Sequence, residues 1–210
     1  MVRHLIPTVL GAVVLAAPLT AQRRTLALDA SAGAKSGAER GAVSGWYPIV
    51  QRAGHWSLGL GVRLSAYTGA PIGYTNRGTI QGNLAASLTI DPAVYALNGA
   101  VFGEVNLARS VAVGANLDIV GISTGPARTI GSLTATPEAG SYFRYGAADH
   151  GALNSEFFLS VKVAGAVRLR GGLSHYVTNY VVTSPGTAGA GTARYQRFQT
   201  VPFVAVRLRL

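Results

Sequence analysis

Between His55 and Tyr67 the side chains alternate strictly. Trp56, Leu58, Leu60, Val62, Leu64 and Ala66 fall on one parity; Ser57, Gly59, Gly61, Arg63 and Ser65 fall on the other. A strand turns successive side chains to opposite faces, so this segment has one apolar face and one small or polar face. The period returns from Val111 to Ile119, with Val113, Ala115, Leu117 and Ile119 against Gly114, Asn116 and Asp118. It returns where Phe157, Leu159, Val161 and Val163 oppose Glu156, Ser160 and Lys162, and where Val204, Val206, Leu208 and Leu210 oppose Ala205, Arg207 and Arg209. None of these segments has the 3.6-residue stripe of a helix. A chain patterned this way is restricted to antiparallel sheet with one apolar face.

Charge follows the same parity. Glu156 and Lys162 share one, Arg168 and Arg170 share one, and Arg197, Arg207 and Arg209 share one. A charge facing lipid near mid-bilayer costs about 2–4 kcal/mol, so membrane strands must keep their charges on the other face. The composition agrees. Charged residues are 12% and hydrophobic residues 49%, against a usual charged share of about 25%. Disorder is excluded by that apolar content. The net charge of +10 is not a nucleic-acid footprint: only Lys35 and Lys162 are lysines, and no three basic residues are consecutive. With no Cys in the chain, a disulfide scaffold, a thiolate metal site, a Cys nucleophile and a lipid-modified Cys are excluded.

Residues 1–21 have the form of a cleaved signal peptide for Sec export. Arg3 and His4 precede an apolar run from Leu5 to Ala17, and Ala21 offers a small residue at the cut. Residues 22–210 then form one domain. No later segment supplies a spanning helix, since Leu84–Gly103 is broken by Asp91-Pro92. The turns divide the domain into strands at 24–34, 41–51, 55–68, 94–107, 111–124, 152–163, 166–183 and 195–210. Connections after the second, fourth and sixth are short; the others are longer and rich in Gly, Ser, Thr and Pro. Short turns at one end and long loops at the other predict an all-β, eight-stranded, antiparallel up-and-down transmembrane β-barrel. Such a sheet must close, because a bilayer satisfies no open edge. Ten strands are the alternative, with an added hairpin in 69–93, where Asn83–Ile90 is the only suitable stretch. Pro48 blurs the second strand and predicts a bulge or strand end.

Eight strands leave an interior just wide enough for side chains. Parity directs Asp29, Arg63, Glu104, Asp118, Glu156, Lys162, Arg168, Arg170, Arg197, Arg207 and Arg209 into it. These charges are expected to pair, with Gly59, Gly61 and Gly114 leaving room for the long Arg side chains. A wet polar core that fills the lumen follows.

The segments GANLDIVGISTG (Gly114–Gly125), HGALNSEFFLSVKV (His150–Val163) and RGGLSHYVTNY (Arg170–Tyr180), with the leader and the terminal strand Val201–Leu210, resemble small bacterial outer-membrane β-barrel proteins. The likeness is to the OmpA/OmpX-like class and to an uncharacterised barrel group within it. It covers most of the chain beyond the leader. The resemblance implies a monomer in the bacterial outer membrane, surrounded by its lipid and lipopolysaccharide and inserted by the outer-membrane assembly machinery. That machinery reads a terminal strand usually ending in Phe or Trp, where this chain has Leu210. It implies no reaction, cofactor or metal.

Other motifs are weak. Gly121-Ile122-Ser123-Thr124-Gly125 matches G-x-S-x-G but lacks the following helix that a nucleophile elbow needs, so it is a strand-end turn. Ser174 and His175 are adjacent and face opposite sides unless a bulge at Gly171-Gly172 intervenes. His150, beside Asp149, is expected to be a solvated loop residue rather than a metal ligand. Trp56 and Tyr95 suit membrane interfaces, whereas Tyr67, Tyr180 and Tyr195 have inward parity and weaken such a girdle. Tyr142, Phe143, Arg144 and Tyr145 sit in the long loop 125–151, either folded onto the rim or available to lipopolysaccharide or an external partner. The leading expectation is a non-enzymatic outer-membrane protein, structural or adhesive through its loops. A small-solute pore, a lipid-modifying hydrolase and a soluble ligand-binding barrel are the alternatives. The last would exchange inside and outside.

Overall fold

The alternating segments pair edge to edge until the last meets the first. The structure, a computed structural model, describes residues 25–52, 55–77, 84–184 and 191–210. The predicted signal segment 1–21 lies outside the described residues. In chain order the strands are β1 (Ala27–Lys35), β2 (Ala38–Arg52), β3 (Trp56–Gly69), β4 (Ile72–Asn76), β5 (Ser87–Ile90), β6 (Ala93–Asn106), β7 (Val111–Thr124), β8 (Arg128–Ile130), β9 (Leu133–Pro137), β10 (Gly140–Tyr142), β11 (Ala152–Ala164), β12 (Val167–Thr183) and β13 (Thr192–Arg209). Eight of them, β1, β2, β3, β6, β7, β11, β12 and β13, form a closed antiparallel ring in that order, with β13 pairing back onto β1. Ala27 lies opposite Arg209, so both ends of the described barrel emerge at the short-turn end.

These eight strands are the eight read from the sequence, and β7 has the predicted limits. The connection after β1 differs. Instead of a long loop, Ser36-Gly37 make a two-residue turn, with φ of 40° and 80° and Lys35 paired to Ala38. Two consecutive positive φ values match the twist of a tight hairpin, and Gly adopts the second freely. Long connections therefore follow only β3, β7 and β12. The stretch that could have added strands to the ring instead supplies β5, which pairs with β4, while β4 borders β13 at Tyr195 and Gln196. β1 stops pairing with β13 at Phe203, which leaves the upper edge of β13 open for that contact. On the other side of the mouth, β9 extends the sheet from β12 and β10 extends it from β7.

Three register shifts adjust the pattern, one of them at the short-turn end of β11 between Lys162 and Ala164. Another is at Pro48 to Val50 in β2, where Pro48 predicted an irregularity. The third makes Ile119 an extra residue between Asp118 and Val120 of β7, opposite Ala100 and Gly99. Beyond it the parity reverses: Val120 and Ile122 face out, and Ser123 faces in.

Outside and inside are the reverse of a water-soluble barrel. Leu58, Leu60, Val62, Leu64, Leu169, Leu173, Val204 and Leu208 are exposed on the outer wall, and Phe157 is 66% exposed. Asp29, Arg63, Glu104, Asp118, Glu156, Arg170 and Arg207 are buried in the lumen. On β3 the outward run Leu58–Ala66 is long enough for a tilted strand to cross a hydrocarbon core. Inward glycines make room for aromatic rings rather than for arginines, a correction to the sequence expectation. A Cβ on Gly61 would strike the Trp46 ring, one on Gly59 the Phe102 ring and one on Gly114 the Phe158 ring.

The wall makes a direct test possible. Leu208→Arg points a charge at hydrocarbon, at a cost of about 0–4 kcal/mol depending on depth, and interrupts the outer face of β13. Its folded yield in membranes is expected to fall well below that of the parent, read as the heat-dependent shift in gel mobility. Folding at parental yield would mean that the outer face does not meet lipid.

Candidate functional site

The lower lumen, toward the short-turn end, is crossed by buried, ion-paired side chains, one from each ring strand. They are Asp29 on β1, Arg40 on β2, Arg63 on β3, Glu104 on β6, Asp118 on β7, Glu156 on β11, Arg170 on β12 and Arg207 on β13. Glu156 is the hub. Its carboxylate accepts from Arg40, from Arg63 Nη2 at 3.1 Å and Arg170 Nη2 at 3.4 Å, and from Asn116 Nδ2 at 2.7 Å. Arg63 reaches on to Asp118 Oδ1 at 2.9 Å, and Asp118 also accepts from Asn98 Nδ2 at 2.9 Å and the Asn154 backbone N–H at 3.1 Å. Arg170 pairs with Asp29, which Arg207 grips through Nε at 2.8 Å and Nη2 at 3.0 Å. Arg207 Nη1 donates to Glu104 at 2.9 Å, and Arg209 Nη2 donates to the other oxygen of Glu104 at 3.1 Å. The contacts form one connected chain across the lumen.

Rings insulate it. The Arg170 guanidinium lies 3.5 Å from the Phe158 centroid, Arg63 lies 5.4 Å from Trp46, and Arg40 lies 5.5 Å from Phe203. A guanidinium over an aromatic face keeps a favourable electrostatic contact where water is excluded. Trp46 and Phe102 meet edge to face at 5.5 Å.

The predicted interior set is modified at its ends. Arg40 belongs to the chain but lay outside the predicted second strand. Lys162 is exposed at the short-turn rim, and the Arg209 side chain is 43% exposed there. Arg168 is buried without a carboxylate, donating to Ser160 Oγ at 2.7 Å and Ser160 O at 3.1 Å. Arg197 sits higher and is half-buried.

The upper lumen is apolar, unlike the wholly wet core expected. Tyr67, Tyr176, Tyr180, Tyr195, Val94, Val182 and Val201 cluster with Tyr74 and Ile90 from the β4–β5 hairpin. Tyr67 and Tyr176 are 4.6 Å apart, and Tyr74 meets Tyr180 edge-on at 5.3 Å. The tyrosines with inward parity are thus a core rather than a girdle. Two hydroxyls of the cluster are satisfied, Tyr74 with Thr178 at 2.9 Å and Tyr180 accepting from the Ala93 N–H at 3.0 Å, whereas the buried Tyr67 hydroxyl has no hydrogen-bond partner among the described residues. Burial pushes the Tyr74 phenol above the usual tyrosine range, so it stays neutral.

The remaining motifs resolve into structure. Ser123 lies within β7, where its hydroxyl donates to the Glu138 carbonyl and accepts from Ser141 Oγ at 3.3 Å. It is a strand residue rather than a strand-end turn. β11 and β12 pair without interruption through Gly171-Gly172. Ser174 therefore points in, donating to Asn154 Oδ1 at 2.6 Å, and His175 points out to Thr200 Oγ1 at 2.7 Å. His150 is half-buried rather than solvated: Nδ1 lies 2.6 Å from Glu138 Oε1, and the ring stacks on Tyr142 at 4.3 Å. Beyond this pair the loop exposes Phe143 and Tyr145, the latter 82% exposed.

No family model matches the sequence, and neither does any curated protein. Two solved structures to which the chain is similar are Neisserial surface protein A, at 14% identity and a TM-score of 0.44, and a major outer membrane protein from Thermus thermophilus, at 11% identity and a TM-score of 0.38. The first alignment covers 89% of this chain and 96% of the other; the second covers 89% and 100%.

Removing the hub tests the chain of ion pairs. Glu156→Gln leaves Arg40, Arg63 and Arg170 short of a shared carboxylate, and breaking a buried pair this way costs about 3–5 kcal/mol. The urea midpoint of the protein in lipid vesicles is expected to drop accordingly. Glu39→Gln, an exposed carboxylate at the β1–β2 turn, is expected to leave it unchanged.

Proposed function

We propose that this chain is an integral protein of a bacterial outer membrane whose barrel anchors and seals, and whose upper segments do the work at the cell surface. One observation carries the reading: an apolar outer wall encloses eight buried, ion-paired side chains. A soluble barrel that holds apolar ligands needs the opposite arrangement. In this reading the short-turn end faces the periplasm. Export depends on residues 1–21 as a signal peptide, and the assembly machinery recognises β13 despite its terminal Leu210. The protein acts as a monomer.

Two layers argue against a pore: the ion-pair chain fills the lower lumen, and the tyrosine cluster fills the upper. The Ser123 hydroxyl is engaged by the Glu138 carbonyl and that of Ser174 by Asn154 Oδ1, so both serve the barrel wall in this non-enzymatic reading. The surface function falls to the segment 138–151. There Phe143 and Tyr145 are exposed, and Arg144 lies 5.6 Å over Tyr142. Aromatic rings beside a guanidinium suit contact with lipopolysaccharide or an external protein.

Conductance separates the sealed barrel from the pore. Purified, folded protein in planar bilayers is expected to give no stable open-channel current. Fractionation is expected to recover the chain from detergent-extracted outer membrane. Reproducible single-channel steps would support the pore, and recovery as a soluble periplasmic protein would overturn the membrane assignment.

A further inference from the structure

The short-turn mouth holds a charge excess that the lumen does not absorb. All eight Asp and Glu side chains have places in the structure. Asp29, Glu104, Asp118 and Glu156 are inside the barrel; Glu39, Asp91, Glu138 and Asp149 are at the long-loop end. No Asp or Glu side chain lies on the short-turn rim. At that rim is a concavity of about 510 Å³ whose lining includes His55, Arg109, Lys162, Arg168 and Arg209.

Arg168 is the decisive residue. It is only 4% exposed, and among the described residues no carboxylate comes within ion-pair distance of it. Its cross-strand neighbours are both cations, Lys162 on β11 and Arg207 on β13. Like charges placed directly opposite on adjacent strands repel, and a buried cation without a counter-charge is costly. Asp29 and Glu104 neutralise Arg207. Arg168 has no such direct partner among the described residues: Glu104 acts on it only from beyond ion-pair distance.

We propose that this mouth binds a phosphoryl anion, held by Arg168, Lys162 and Arg209, with Arg109 and His55 completing the cationic lining. Several guanidinium and ammonium donors converge on one concavity. A phosphate offers three or more oxygens and serves several donors at once, whereas a carboxylate has only two. The anion comes either from the headgroup of an acidic phospholipid in the adjoining leaflet or from a free phosphate. The lipid source rests on the membrane reading above; the site itself does not.

The test uses the full chain folded in non-ionic maltoside micelles, with calorimetric titration of three probes: inorganic phosphate, dihexanoyl phosphatidylglycerol and dihexanoyl phosphatidylcholine. Saturable one-site binding of the phosphatidylglycerol is expected, at least tenfold tighter than that of the phosphatidylcholine. The double variant Lys162→Gln/Arg109→Gln, both positions exposed and outside the ion-pair chain, is expected to weaken it at least tenfold; so is Arg168→Gln. Binding of inorganic phosphate with the same loss in the variants supports the site and assigns it to a free anion. Binding of phosphatidylglycerol alone supports it and assigns it to lipid. The proposal is overturned if neither anionic probe saturates, if the zwitterionic lipid binds as tightly as the anionic one, or if the folded double variant binds like the parent.

Discussion

Burial of charge is the constraint on which the rest of this barrel depends. Each ring strand places one buried, ion-paired group in the lumen, four acidic and four basic, each with its counter-charge on another strand; Arg168, a second buried cation on β12, stands outside this set. Moving a charge from water to a protein interior costs several kcal/mol, and the attraction of a partner repays that cost only with good geometry. Net stability is therefore not the main result of the arrangement. Its result is register. Side chains alternate with a period of two, so a slip of one residue in any strand would turn its charge to lipid and orphan its partners. Arg207 and Asp29 are 178 residues apart, and their contact crosses the seam where the last strand meets the first.

The other features of the lumen follow from that chain. Guanidinium groups need company where water is scarce, and Trp46, Phe102, Phe158 and Phe203 provide ring faces. The rings in turn need space in a narrow barrel, and inward glycines supply it. Above this level no inward charge from the ring is buried, and tyrosines take over, capped by the β4–β5 hairpin. Below it, the cations at the short-turn mouth exceed the carboxylates available, leaving Arg168 and Lys162 with no carboxylate partner.

Much of this was legible in the sequence, because a period of two with charges on one parity has few physical solutions. Strand number, limits and facing followed from it. What escaped had local causes. Arg40 was missed because Glu39-Arg40, beside Ser36-Gly37, has the polarity of a loop; once the turn tightens to two residues, parity sends Arg40 inside. The bulge at Ile119 leaves no mark in a run of apolar residues, so the inward aim of Ser123 was invisible. The glycines were correctly placed inside but given the wrong neighbours, since parity says which face a residue occupies and not which ring fills the space beside it. Lys162 and Arg209 have inward parity yet sit at the rim, because parity carries no information on depth.

A double-mutant cycle between Arg40 and Arg207 tests the central claim most directly. The two share no ion-paired carboxylate; among the ion pairs they are linked through Glu156, Arg170 and Asp29. Unfolding free energies in urea, measured in lipid vesicles for the parent, Arg40→Met, Arg207→Met and the double variant, give their coupling. A single connected network predicts a coupling of more than about 0.5 kcal/mol, the level that independent sites do not exceed. Additivity within that margin would contradict it and reduce the chain to separate local pairs.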